Sequence, residues 1–300
     1  MVDKEQFETV GDGLLVRAPA KINLSLLVAG KRPDGFHELE TIMAKINWYD
    51  EILIEPGLKA GIELVCKGPQ WAPEGEENLI YQAAKLLLNC CGLITDIKIT
   101  LTKNIPAGSG LGSASSDAAA TLMGLNEYMD FQLPNRQLAK LAPRLGSDVA
   151  FFLDGPLAFC KGKGEKIKKI KKFFNFLALL ILPDVSVSTK EVYANYQHNQ
   201  PLYERLSAQI NSYILKNRID LVVDMCANML ETSCFNQVQG LAELKATIES
   251  LGVSPCCLSG SGTGLFYIIN SGDEKKAVQY KHKLEEKVGC KSIIASSNRW

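Results

Sequence analysis

Asn104 to Tyr128 reads NIPAGSGLGSASSDAAATLMGLNEY, and it decides the fold. Ahead of it, Ile97 to Leu101 alternates apolar and polar residues as a strand does. Behind the glycines, Ser115 to Met129 is rich in alanine and leucine and predicts a helix. A strand therefore enters a loop carrying Gly108, Gly110 and Gly112, and a helix leaves it. Glycines let backbone amides approach a ligand closely, and serines offer hydroxyls without crowding it. The helix start aims unpaired N–H groups and the positive end of its dipole at the same point. That combination suits phosphate. No Gly-Lys-Ser/Thr follows, and Gly-x-Gly-x-x-Gly is absent, so neither the Walker loop nor the dinucleotide turn applies. The competing reading is a glycine–serine turn that only caps the helix, with Ser115 or Ser116 as N-cap. The loop by itself does not choose between them.

Working outward, Leu14 to Ala18 and Ile22 to Ala29 predict two strands, and Glu38 to Ile54 alternates as a third. Ile62 to Cys66 predicts a short strand. Asn78 to Cys91 spaces Leu79, Ala83, Leu86 and Leu87 along one helical face. Gln137 to Leu145 predicts a shorter helix. The lysine-rich run KGKGEKIKKIKK, residues 161 to 172, reads as a solvated hairpin or loop, with a binding patch as the alternative. Phe173 to Leu182, interrupted at Asn175, is apolar enough for a buried strand. A helical region runs to Glu231. Helix (Val238 to Leu251), strand (Cys256 to Ser259), strand (Gly264 to Ile269), helix (Lys275 to Val288) and strand (Lys291 to Ala295) close the chain. Helices layered on an antiparallel sheet are the natural packing. We expect two α+β domains, 1–165 and 166–300.

The 300 residues suffice for such a pair of domains. Hydrophobic residues make up 46% and charged residues 22%, as in ordinary globular chains. Thirty-three basic side chains balance 33 acidic ones. That balance gives no electrostatic case for nucleic acid or an anionic membrane as partner. The N-terminal MVDKEQFETVGDG lacks the apolar core of a signal peptide, and no apolar run reaches the roughly 18 residues that span a bilayer. Nine cysteines, an odd number with no repeated Cys-x-x-Cys, are expected as reduced thiols rather than disulfides or a metal site. A cytoplasmic protein is expected.

Three more stretches keep the loop company: RAPAKINLSLLVAGKRPDGFHELET (17–41), LGSDVAFFLDGP (145–156) and LSGSGTGLF (258–266). Together the four resemble the GHMP kinase superfamily over nearly the whole chain. The resemblance implies a two-domain α+β fold, ribosomal protein S5 domain 2-like at the N-terminus and ferredoxin-like at the C-terminus. It implies an ATP- and Mg²⁺-dependent small-molecule kinase that phosphorylates an alcohol. Pro19 to His37, Gly-Ser-Asp-Val at 146–149 and Pro-Asp-Val-Ser-Val-Ser-Thr at 183–189 resemble the branch acting on a cytidine diphosphate-linked methylerythritol in non-mevalonate isoprenoid biosynthesis. A mevalonate- or homoserine-type kinase is the rival enzyme, and an inactive GHMP-fold binding protein the rival of another class.

Carried over by residue, the resemblance makes Lys21 and Asp148 the catalytic pair. Phosphoryl transfer asks mainly for positioning and charge stabilisation. Asp148 would accept the proton of the attacking hydroxyl, and Lys21 would keep that carboxylate ionised. In isolation a surface lysine and a helix-capping aspartate are the plainer readings. Pro106, Ala107, Gly108, Ser109, Gly110, Leu111, Gly112, Ser113, Ala114, Ser115 and Ser116 match the ATP-phosphate loop. Ser113-Ala114 stand where glycines are usual, which matters if positive φ is needed there. No protein metal ligand is expected beyond a possible loop serine, magnesium being held mainly by phosphate oxygens. Phe36, a tyrosine in many members, would stack on the base, His37 would meet its edge, and Tyr193 would close its other face. Asn23 shares the side of the strand that carries Lys21 and would reach the substrate. The turn at 259–264 would pack beside the phosphate loop.

Overall fold

The computed structural model describes residues 5–172 and 174–300. The first four residues of the charged N-terminal segment, and Phe173 at the head of the apolar run, lie outside the described residues.

The first sheet is built from β1 (Phe7–Val10), β2 (Gly13–Lys31), β3 (His37–Pro56), β4 (Ile62–Lys67) and β5 (Ile97–Thr102), in the order β1-β2-β3-β5-β4. Helix α1 (Leu79–Cys91) precedes β5, and α2 (Ser113–Tyr128), α3 (Asn135–Leu141) and α4 (Val149–Phe152) follow it. Strands β6 (Leu157–Gly162) and β7 (Lys166–Lys169) then form a hairpin whose first strand pairs with the N-terminal half of β3. The lysine run is thus a hairpin, and its second strand carries the first sheet to Lys169, past the expected division at 165. The second sheet holds β8 (Phe176–Leu182), β9 (Cys257–Leu258), β10 (Leu265–Asn270) and β11 (Lys291–Ser296), all antiparallel in the order β11-β8-β10-β9. Around it lie α5 (Thr189–Ala194), α6 (Gln200–Leu215), α7 (Ile219–Asp224), α8 (Glu231–Gln237), α9 (Leu241–Ser250) and α10 (Glu274–Val288). No helix among the described residues is long and apolar enough to cross a membrane.

The two strands expected at 14–18 and 22–29 are one 19-residue strand. Register shifts at Pro19/Ala20, Asn23/Ser25 and Val28/Gly30 let it bend without breaking. This continuity matters. Leu14, Val16 and Ala18 belong to the core beneath α1 and α2, whereas Ala20 to Val28 pack with the second sheet. Lys21 therefore stands where one strand passes from one core to the other.

The expectation for the cysteines needs one correction. Cys226 and Cys257 form a disulfide, with Cα atoms 5.3 Å apart, and the other seven are free. The turn after α7 lies against β9, and that separation is within bridging reach. Sequence spacing held no sign of it, since the two stand 31 positions apart.

Candidate functional site

Lys21, Asp148, the glycine loop and His37 all open into one cavity of about 1010 Å³ between the two halves of the chain. The loop's part in it begins with backbone geometry. Gly108, Gly110 and Gly112 have φ of 70°, 74° and 69°, the left-handed region that glycine adopts at no steric cost. Helix α2 begins at Ser113, two residues earlier than its apolar pattern indicates, with Gly112 at its N-cap and no side chain capping it. Neither Ser115 nor Ser116 caps it, so the purely structural reading of the serines fails. The first-turn N–H groups and the dipole face the cavity without a protein side chain to satisfy them. That is the property a phosphate cradle needs. Ser113 and Ala114 stand inside the helix, where no positive φ is required, so the missing glycines do not disturb the loop.

Not every loop residue faces the cavity. Pro106, Gly108, Ser109, Gly110, Gly112, Ser113, Ala114 and Ser115 line it. Ala107 is exposed elsewhere, Leu111 is buried beneath, and the Ser116 hydroxyl is enclosed without a hydrogen-bond partner. Gly110 is fixed by a neighbour in the other half. A Cβ there would lie 2.0 Å from the Ser259 carbonyl oxygen. Ser259 Oγ donates to Gly110 O at 3.0 Å, and Gly264 N–H donates to Ser109 O at 3.1 Å. The C-terminal glycine turn packs on the phosphate loop accordingly.

Lys21 is buried on β2, and its ammonium lies 2.5 Å from Asn23 Oδ1 and 3.7 Å from Asp148 Oδ2. Burial pulls its pKa below the ordinary lysine value, while the Asp148 carboxylate works the other way. Asn23 in turn donates to Thr41 Oγ1 at 2.8 Å, so the amide orients the lysine and faces the cavity. Asp148 occupies the position before α4 but makes no capping hydrogen bond. Its carboxylate, 32% exposed, points at Lys21 and the cavity instead.

The aromatic end follows from the turn Pro33-Asp34-Gly35. Asp34 Oδ1 accepts from Phe36 N–H at 3.2 Å, and Arg32 N–H donates to Phe36 O at 2.7 Å. Phe36 is 53% exposed at the cavity rim, with Lys163 Nζ 4.3 Å from its ring centroid. His37 packs against Tyr193 at 5.2 Å and edge-on to Tyr196 at 5.9 Å. Tyr193, which also lines the cavity, thus packs on the imidazole. Partial burial, then Lys31 and His198, push the His37 pKa below the usual range, leaving a neutral ring with one donor and one acceptor.

Sequence reasoning missed Tyr196 and Lys163, although both have a signal, an aromatic three residues past Tyr193 and a lysine in the hairpin turn. It also missed a buried ionic cluster with no local signal at all. Lys103 Nζ reaches Asp50 Oδ2 at 2.5 Å and Asp117 Oδ2 at 2.6 Å, while Asp50 Oδ1 accepts from Asn104 and Ile105 N–H. Burial would drain the charge from Lys103, but the two carboxylates more than offset it and hold its pKa high. The cluster ties β3, the start of the loop and α2 together. Among the described residues no three His, Cys, Asp or Glu side chains are grouped to hold a metal ion.

The profile described as GHMP kinases N terminal domain matches residues 78–156. A 4-diphosphocytidyl-2-C-methyl-D-erythritol kinase of Clostridium botulinum (strain Eklund 17B / Type B) is 36% identical over 91% of this chain and 96% of its own. A crystal structure of 4-(cytidine 5'-diphospho)-2C-methyl-D-erythritol kinase superposes with TM-score 0.74 and 29% identity, covering 95% of this chain and all of the other (100%). Homoserine kinase from Cytophaga hutchinsonii superposes with TM-score 0.76 over 99% of this chain and 98% of its own, at only 20% identity, a likeness of fold alone.

Proposed function

We infer the working of the site from one premise: the chain belongs to the GHMP kinases, in the family of 4-diphosphocytidyl-2-C-methyl-D-erythritol kinases. It is a small-molecule kinase of the non-mevalonate isoprenoid route, and its phosphoryl acceptor is an alcohol. The reading is ATP-dependent phosphorylation of the 2-hydroxyl of 4-diphosphocytidyl-2-C-methyl-D-erythritol, in the cytoplasm. The observation that carries it is that one cavity joins an amide-lined loop, a lysine–aspartate pair and a histidine–aromatic cluster.

The loop glycines and the uncapped start of α2 suit the phosphates of ATP, which supplies the transferred group when bound. Ser109, Ser113 and Ser115 line the same wall, and their hydroxyls would be available to hold magnesium, which would neutralise phosphate charge. Asp148 Oδ2 accepts the proton of the acceptor hydroxyl, a step that contributes typically ~10²–10⁴-fold. The Lys21 ammonium beside it attracts the alkoxide character that develops. Asn23 fixes the lysine rotamer. At the far end, neutral His37 meets the cytosine edge, Phe36 offers an open face for stacking, and Tyr193 holds the imidazole in place.

The experiment is an acceptor screen with ATP and magnesium, comparing the cytidylylated methylerythritol with mevalonate and homoserine, alongside competition by CDP. Turnover of the cytidylylated acceptor with CDP as competitor is expected. Turnover of mevalonate or homoserine in its place, with no effect of CDP, would overturn the reading.

A further inference from the structure

Lys45 lines no part of the cavity, yet it is 2% exposed and its ammonium has carbonyl oxygens, not a carboxylate, as hydrogen-bond partners. Nζ donates to Phe152 O at 2.9 Å and to Asp154 O at 2.7 Å. The backbone N–H of the same residue donates to Pro156 O at 2.8 Å. Three carbonyls in alternation, 152, 154 and 156, are thus gathered by one residue of β3. The nearby Asp154 carboxylate is engaged elsewhere, by Lys169 and by Gly155 N–H.

What those carbonyls belong to gives the contact its meaning. They terminate α4 and its exit, and Asp148 stands at the other end of that helix. Four residues make a single turn, too short to hold its own shape in water. A buried N–H donor on the last carbonyl of α4 and on the carbonyls of its exit satisfies acceptors that the helix leaves orphaned. In the β2–β3 ladder Lys45 lies directly opposite Lys21. Lys21 holds the other two parts of the site: its N–H donates to Leu111 O of the phosphate loop at 2.9 Å, and its ammonium faces Asp148. One cross-strand pair therefore sets the loop, the front of α4 and the back of α4 in a common register.

We propose that Lys45 is a positioning residue, which fixes the Asp148 carboxylate against Lys21 and the phosphate loop by anchoring the C-terminal end of α4. The assignment rests on the reading of Asp148 as proton acceptor. A residue that only filled the core would be served better by methionine or leucine, because an ammonium without a counter-charge is costly to bury. Lysine at this place has a use that bulk does not supply.

The test compares Lys45→Met, Lys45→Gln, Asp148→Asn and the double variant Asp148→Asn/Lys45→Met in the full chain, with kcat, both KM values and nucleotide affinity measured on folded protein. Lys45→Met keeps length and loses the donors; kcat should fall about 10–10²-fold while both KM values stay within about twofold, as a displaced reacting group requires. Lys45→Gln, which keeps an N–H donor, should recover part of the loss and carries the test if the methionine variant does not fold. The double variant should lose no more than Asp148→Asn alone. Full activity in Lys45→Met with an inactive Asp148→Asn would overturn the inference and leave the mechanism standing. Equal losses in kcat and nucleotide affinity, or additive losses in the double variant, would also overturn it. An active Asp148→Asn would bring down the mechanism itself, whatever Lys45 does.

Discussion

Replacing Ala114 by Asp separates the phosphate-cradle reading from any effect on folding, because the two consequences have opposite signs. Ala114 is exposed, in the first turn of α2, and faces the cavity. No acidic residue occupies that first turn, so a carboxylate there meets the positive end of the dipole and should stabilise the fold by about 0.3–1 kcal/mol. If ATP phosphates occupy the same amides, the carboxylate repels them. One charge pair at ~5 Å with an effective dielectric constant of about 20 is worth about 3 kcal/mol. That corresponds to an affinity loss on the order of 10²-fold, since about 1.4 kcal/mol is tenfold. Calorimetric titration with a non-hydrolysable ATP analogue reads the loss, and thermal melting reads the gain. Ala114→Asn has the same shape without the charge and should retain most of the affinity. The difference between the two variants should shrink as salt is raised, because the residue is exposed. ATP affinity undiminished in Ala114→Asp, or diminished equally in Ala114→Asn, would refute the charge argument and with it the cradle.

His37→Leu should lower kcat/KM for the cytidylylated acceptor by about 1–3 kcal/mol through an unpaired base edge, with ATP affinity unaltered; equal CDP binding by both proteins would remove His37 from base recognition. Lys103→Met strands the Asp50 and Asp117 carboxylates in the interior and should cost about 3–5 kcal/mol in denaturant unfolding, whereas a loss under about 1 kcal/mol would mean the cluster is not a coupled unit. Burial, with Lys169 of β7 adding to it, depresses the Lys45 pKa from 10.5 to about 7. Between those values the unfolded chain holds a proton that the native protein has released, so this residue makes stability rise with pH across the window. The stability of wild type relative to Lys45→Met should therefore increase from pH 7 to 10 in parallel urea titrations, and a flat difference would show an unshifted lysine.

Local features of this chain were legible wherever a short stretch sufficed to define them. The strand–loop–helix at 97–128, the face of α1 and the alternation of β3 follow from periodicity and glycine placement alone. The start of α2 was misjudged by two residues because serine is a strong capping residue, and here a left-handed glycine takes the position. The long β2 was read as two strands because Pro19 and Lys21 interrupt its apolar pattern. A bulge absorbs the proline, and the lysine is buried because Asn23 and Asp148 receive it. What periodicity could not reach is contact between distant residues. Asp50, Lys103 and Asp117 lie far apart in sequence and each looks like an ordinary surface charge; so does Lys45 in a run of alternating residues. Their burial depends on the crossing of β3, the loop, α2 and α4, which no window of sequence contains. The same holds for the glycine turn at 259–264, a plain β-turn until its carbonyl at Ser259 is found pressed on Gly110. The divide is physical: the cavity-lining groups named from the sequence sit on motifs, while groups that hold those motifs in register come from whichever strand passes beneath. The Lys21–Lys45 pair joins the two classes, one residue in a recognisable motif and its cross-strand neighbour in none. Kinetic effects from variants at Lys45 would therefore test whether register, as distinct from motif, is part of the catalytic apparatus.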